Sequence, residues 1–229
     1  MGAHKRTGKA RATAALAAGT IAAGGFMVVA GVGRAAAAER EGCSLTQTYA
    51  CPFPLIGDDE IIVTINADIP EHLDVGEPSG DIAISTVSTV GEKAVQGLNL
   101  VGAKTLTGSG ISSTHIDGAG ADLDLQVPVE LEETAIPASG TFDVDADGTA
   151  PSVTFSEEGS VVITVNELQL TLTPLDANGN ETGLGTFVSD CTLDPPDQDN
   201  VLYTGTVGEG GGDPTGPDPT EPDPTDATD

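Results

Sequence analysis

The sequence predicts an all-β protein, and three observations carry that prediction. Apolar residues recur at every second position through most of residues 43–207. Clusters of Gly, Asn, Asp and Pro interrupt these runs at short, regular intervals. Helical periodicity is confined to one brief stretch, 92–98. Together they describe about ten strands, folded as a two-sheet antiparallel β-sandwich, immunoglobulin-like in style. A domain of this size can bury a true core.

The chain opens on a segment that does not belong to that fold. Lys5, Arg6, Lys9 and Arg11 precede an uncharged Ala/Gly-rich run over 12–33, and none of the 36 acids falls before Glu39. A basic start, an apolar stretch and small residues at 36–38 are the layout of a signal peptide over 1–38. The rival reading is a retained anchor, since 22 uncharged residues (12–33) are just long enough to span a bilayer. Ala and Gly make that segment only weakly hydrophobic, which favours cleavage. The expected localisation is secreted or extracellular, with cell-wall association as a further option.

"SLTQTYA" (44–50) looks extended and lies between Cys43 and Cys51. Eight steps of strand separate two Cα atoms by about 26 Å, against the ~4.4–6.8 Å a disulfide allows. Cys191 is therefore the expected partner, and Cys51 is favoured over Cys43 as the residue it joins. The third cysteine, Cys43, is left to link two chains or to stay idle. "IIVTINADI" (61–69) places Ile61, Val63, Ile65, Ala67 and Ile69 on one side. "EKAVQGL" (92–98) reads as a short helix stopped by Gly97.

"DLDLQVPVEL" (122–131) alternates again, and Pro128 marks an edge position. In "VVITVNELQLTLT" (161–173) the phase changes. Val161, Ile163 and Val165 share one parity, and Leu168, Leu170 and Leu172 the other. A bulge or tight turn is required at Asn166 and Glu167. "DANGNETG" (176–183) supplies turn residues before the last strands. From 208 to 229 the repeated Asp-Pro-Thr predicts a disordered, partly polyproline-like tail.

Charge sets limits on function. The formal net charge is −28 at pH 7, and beyond residue 38 only Arg40, Lys93 and Lys104 oppose the acids. Such a surface repels nucleic acid and anionic lipid headgroups and attracts cations and basic partners. No membrane contact is expected apart from the signal segment.

Asp143, Asp145, Asp147 and Gly148 spell the opening of an EF-hand loop. They alternate with Phe142, Val144 and Ala146, so a strand would spread the three carboxylates over about 13 Å. One calcium needs its oxygens at ~2.3–2.6 Å. The twelfth position is Thr154 where a bidentate Glu belongs. These aspartates are weak metal candidates, and no cofactor is expected. "DGAGADLDL" (117–125) resembles one turn of a calcium-binding β-roll, a motif that works in tandem and occurs here once.

Catalytic signals are sparse. His72 and His115 are the histidines beyond the leader, with no nucleophile elbow or zinc-binding helix motif beside them. A pair of glycosidase carboxylates cannot be picked out among 36 acids. The chain lacks Trp, which argues against a stacked sugar platform. No catalytic residue is assigned.

Several stretches taken together resemble a known family: "YACPFPLIG" (49–57), "ADIPEHLDVGEP" (67–78), "GLNLVGAKTLTG" (97–108), "IPASGTF" (136–142), "TPLDANGNETGLGTF" (173–187) and "CTLDP" (191–195). They look like a domain of unknown function found in secreted and cell-surface proteins of actinobacteria, particularly of Streptomyces type. The resemblance implies export, an all-β domain and a cysteine near each end, matching Cys51 and Cys191. It brings no activity and no binding residues.

The functional expectation is an exported, non-catalytic module with a structural, adhesive or protein-binding role. Its partner would be an extracellular protein or a cell-wall component. The alternatives are an extracellular hydrolase using carboxylates or a Ser/His pair, and a protease inhibitor acting through "LEETAIPASG" (131–140).

Overall fold

In the computed structural model, residues 40–208 are described, and they are overwhelmingly β. The leader expected over 1–38 and the tail beyond Gly208 lie outside them. In chain order the elements are β1 (Arg40–Phe53), β2 (Gly57–Pro70), β3 (Ile82–Val90), α1 (Glu92–Leu100), β4 (Thr105–Gly118), β5 (Ala121–Ala135), β6 (Phe142–Ala150), β7 (Gly159–Leu175), β8 (Phe187–Leu193) and β9 (Val201–Val207).

The two-sheet sandwich is corrected. The strands run in the order β4-β5-β6-β3-β2-β1-β8-β7-β9, and a further ladder joins β4 to β7. That ladder closes eight strands into an antiparallel barrel, with β9 laid on β7 outside the ring. Long-range pairing makes the difference, because sandwiches and barrels both bury one face of each strand and share the same alternation. β7 is the hinge of the arrangement. Ser112 of β4 pairs with Leu168 and Thr114 with Val165, so one extra residue of β7 is accommodated beside Ser113. This is the bulge required at Asn166 and Glu167. It keeps Val161, Ile163 and Val165 and then Leu168, Leu170 and Leu172 all buried. It also divides β7 between two neighbours, since 159–164 pair with β9 and 168–172 with β8.

Two seams of the ring are thin. β5 and β6 share three residue pairs, Val129 with Gly148 through Leu131 with Ala146. Pro128, expected at an edge, stands immediately before this short ladder. β1 and β8 share two pairs, Tyr49 with Leu193 and Ala50 with Thr192. The next pair in that register is Cys51 and Cys191, and these form the disulfide. One residue the other way, the Asp194 N–H still donates to the Thr48 carbonyl at 3.0 Å, and the Gln198 amide completes the pairing. The Thr48 N–H donates to Gln198 Oε1 at 2.9 Å, and Gln198 Nε2 donates to the Thr48 carbonyl at 2.7 Å.

One end of the barrel is covered by α1 and the other by the segment 71–81. At the helix end, Val95 and Ala94 of α1 are buried beneath the turn at 54–56. Gly97, expected to stop the helix, lies inside it. A Cβ there would sit 2.8 Å from Ile56 Cγ2, so glycine permits close approach rather than termination. The helix ends at Leu100, and Gly102 turns the chain away just beyond it, with a φ of +78° and an N–H that bonds back to the Asn99 carbonyl. At the opposite end, 71–81 crosses the opening. It is tied down by the Gly76 N–H to Phe155 and the Ser79 N–H to Val153, and it buries Leu73, Val153 and Phe155. Arg40 pairs with Pro70 and Val207 with Gly159, so the chain enters and leaves the domain at this second end.

Candidate functional site

Every strand of the ring turns alternate residues inward, but the inward rows differ in bulk. β2 contributes Ile61, Val63, Ile65, Ala67 and Ile69, and β7 contributes Ile163, Val165, Leu168, Leu170 and Leu172. Across from them β3 supplies Thr86 and Ser88, β4 supplies Ser112 and Thr114, and β6 supplies Ala146 and Ala150. An eight-stranded barrel is just wide enough for full-sized side chains to fill it. With small residues along three strands, the interior is not filled.

The result is a cavity of about 140 Å³ whose lining includes residues from both ends of the barrel. The lining row Ile61 to Ile69 spans eight strand steps, or about 26 Å along the strand and about 20 Å along a barrel axis after tilt. The space is therefore long and narrow. A cavity near 150 Å³ walled by aliphatic side chains stays dry and accepts a molecule such as benzene.

The wall carries no Asp, Glu, Lys, Arg or His. Its polar groups are the hydroxyls of Thr86, Ser88, Ser112 and Thr114, and the Thr86 hydroxyl donates to the Ala146 carbonyl at 3.4 Å. Tyr49 presents its ring to the cavity while its hydroxyl points into the wall. That hydroxyl lies 2.9 Å from Gln47 Oε1 and 2.9 Å from the Asn166 carbonyl, and Gln47 Nε2 donates to the Val165 carbonyl. Burial, then the nearby Glu167 carboxylate, holds the phenol well above its usual range.

At the helix end the lining includes Phe53, Pro54, Leu55, Ile56, Ala94 and Leu98. The rings of Phe53 and Phe187 meet edge to face, 6.4 Å between centroids. Leu55 borders the cavity and is also 70% exposed. Asp58, Glu60, Glu92 and Asp143 stand exposed at this end of their elements, with Asp59 half-buried among them. Lys93 is committed to Asp58 and Asp59, at 2.7 Å from the Asp58 carbonyl and 3.9 Å from the Asp59 carboxylate.

The residues singled out from sequence lie elsewhere. Asp143, Asp145 and Asp147 occupy the exposed, outward face of β6, where the Thr89 hydroxyl donates to Asp143 at 2.6 Å. Among the described residues no group of three His, Cys, Asp or Glu is gathered as a metal site. The 117–125 stretch is the β4–β5 hairpin, turned by Ala119 and Gly120, both at positive φ. His115 is on the outward parity of β4, with Nδ1 2.8 Å from Asp124 and Nε2 3.8 Å from Asp122. The hydrogen bond to Asp124 is the main cause of its raised pKa, with the charges of Asp124, Asp122 and Asp117 adding to it. His72 is exposed on the 71–81 segment.

Cys43 shares the inward parity of β1 and packs half-buried against the cluster around Ile69 and Val161. The 131–140 segment is strand up to Ala135. It then docks through buried Ile136, whose N–H bonds to Lys104. Sequence reasoning missed the cavity residues. Their signal was present as small side chains at inward positions, Thr86 and Ser88, Ser112 and Thr114, Ala146 and Ala150.

Neither the comparison with characterised proteins nor that with solved structures returns a match. A family model does match, over residues 48–203, from within β1 to within β9. The chain thus belongs to DUF6801, a family of unknown function.

Proposed function

We propose that this domain is an exported, non-catalytic binding module that holds an apolar small molecule inside its barrel. The observation that carries the reading is the unfilled interior, walled almost wholly by aliphatic side chains and by no Asp, Glu, Lys, Arg or His, with the Tyr49 hydroxyl turned into the wall and its phenol held protonated. General acid, base or nucleophilic chemistry needs a titratable or activated group in contact with the substrate. The wall offers hydroxyls without a base beside them.

Export is supported by the leader-like first 38 residues and by the Cys51–Cys191 disulfide, which persists in oxidising compartments. No helix among the described residues is long and apolar enough to cross a membrane. Surface roles in adhesion or protein binding remain compatible with the strongly acidic exterior and would coexist with a filled interior.

The test is binding of an uncharged environment-sensitive fluorophore such as N-phenyl-1-naphthylamine. Bright fluorescence is expected with the wild-type protein. It should be lost when the cavity is filled by Ala146→Phe, or by Ser88→Leu should the larger change impair folding. A folded, filled variant that binds as before would refute the reading.

The hydrolase alternative rests on the His115–Asp124 pair, whose geometry orients an imidazole. A panel of ester, glycan and peptide substrates, run with His115→Ala alongside, decides it. Turnover that disappears in that variant would favour the enzyme.

A further inference from the structure

We infer that the molecule held in the barrel is an elongated, uncharged, hydrocarbon-rich compound that enters at the helix end past Leu55. This rests on the binding reading above and adds the ligand's shape, its charge and its route.

Shape follows from the cavity. Its walls take in 61–69 of β2 and 163–172 of β7, yet its volume is only about 140 Å³. A long space of small volume suits a chain of methylenes or isoprene units, or a flat aromatic molecule lying lengthwise, better than a compact globular ring system. Each methylene taken out of water contributes about 0.8 kcal/mol, so a single chain lying along the axis gathers affinity without polar anchors. The four hydroxyls of Thr86, Ser88, Ser112 and Thr114 sit on two strands near mid-height. There they are the groups able to hydrogen-bond an uncharged oxygen function, such as an alcohol, ester or ketone, the Thr86 hydroxyl already donating to the Ala146 carbonyl.

Charge follows from the wall and the rim. An ionised group moved into an apolar interior without a partner is strongly disfavoured, and no cation lines this one. A carboxylate or phosphate held at the rim would meet Asp58, Asp59, Glu60 and Glu92. Lys93 is already engaged by Asp58 and Asp59, which leaves exposed Lys104, just before β4, as a single cation against these four acids. Fatty acids in their ionised form are therefore poor candidates, whereas the corresponding alcohols and neutral esters fit.

The route follows from exposure. Leu55 and Leu100 are the two most exposed large apolar side chains among the described residues, 70% and 84%, and both are at the helix end. Leu55 also borders the cavity, so one side chain reaches from solvent to interior. It is held there by backbone of positive φ, 70°, an unusual state for leucine. At the opposite end the lining includes exposed Pro151, but buried Ile69, Ile82 and Val153 lie beneath it.

The experiment is displacement and stopped-flow kinetics with N-phenyl-1-naphthylamine on the full chain at pH 8. A long-chain alcohol is expected to displace the probe at about tenfold lower concentration, or less, than the carboxylate of equal length, a difference of roughly 1.4 kcal/mol. Equal or better displacement by the carboxylate overturns the charge assignment. Leu55→Glu should slow both uptake and release by about tenfold or more, while Pro151→Glu changes neither. The reverse pattern, or no effect of Leu55→Glu, overturns the route. Failure of the wild type to bind the probe at all would instead strike the binding reading itself. Probe binding that is lost on cavity filling, together with a carboxylate preference, would leave that reading intact and remove only this inference.

Discussion

Tyr49 shows how one side chain joins wall to core. It is 1% exposed and its hydroxyl faces two acceptors, one on Gln47 and one on the backbone at Asn166, beside the β7 bulge. Tyr49→Phe would leave those acceptors short of a donor, and we expect a loss of about 1–3 kcal/mol in chemical denaturation. His115 illustrates the opposite environment. Its raised pKa comes first from the hydrogen bond to Asp124, on an exposed strand face. A folded-state value above the unfolded one stabilises the fold below the unfolded pKa, and that contribution disappears as pH rises through the folded value. Asp124→Asn should move the His115 titration, followed by NMR, back down toward the ordinary imidazole range. An unchanged midpoint would remove Asp124 as the cause.

At the level of elements, the β5–β6 ladder decides whether the ring stays shut. Gly148 is opposite Val129, and a Cβ there would run into the Pro128 carbonyl and the Val129 side chain. Gly148→Ala should therefore cost about 1–3 kcal/mol and should loosen this seam first, visible as faster amide exchange at Val129 and Leu131 than in β2. Most strands were legible because alternation and turn residues are local. The bulge in β7 was legible too, since a switch of parity between Val165 and Leu168 keeps both rows buried only if the strand takes in an extra residue. The helix was found but Gly97 was misjudged. Its reason for being glycine is Ile56, a contact from another element that no local pattern records.

For the molecule as a whole, closure was the feature sequence did not convey. Which strand lies beside which depends on pairings such as Gly108 with Leu172, far apart along the chain. Alternation says only that one face is buried. The candidate site was illegible for a related reason, because an empty interior is the sum of small residues on three separate strands. The disulfide was legible, and its position now has a structural meaning: it continues the β1–β8 register where the ladder has two pairs. Removing it with Cys51→Ala and Cys191→Ala should lower stability by about 2–5 kcal/mol, measured by denaturation against the oxidised protein. An unchanged midpoint would mean that Gln198 and the packing around Tyr49 hold the seam alone.

Both connections to the rest of the polypeptide emerge beside the 71–81 segment, diametrically away from α1. The ends of the described domain, near Arg40 and Val207, lie on the side away from Leu55. Immobilising it by a terminal tag should thus leave cargo exchange unhindered, as a goblet held by the stem keeps its rim free.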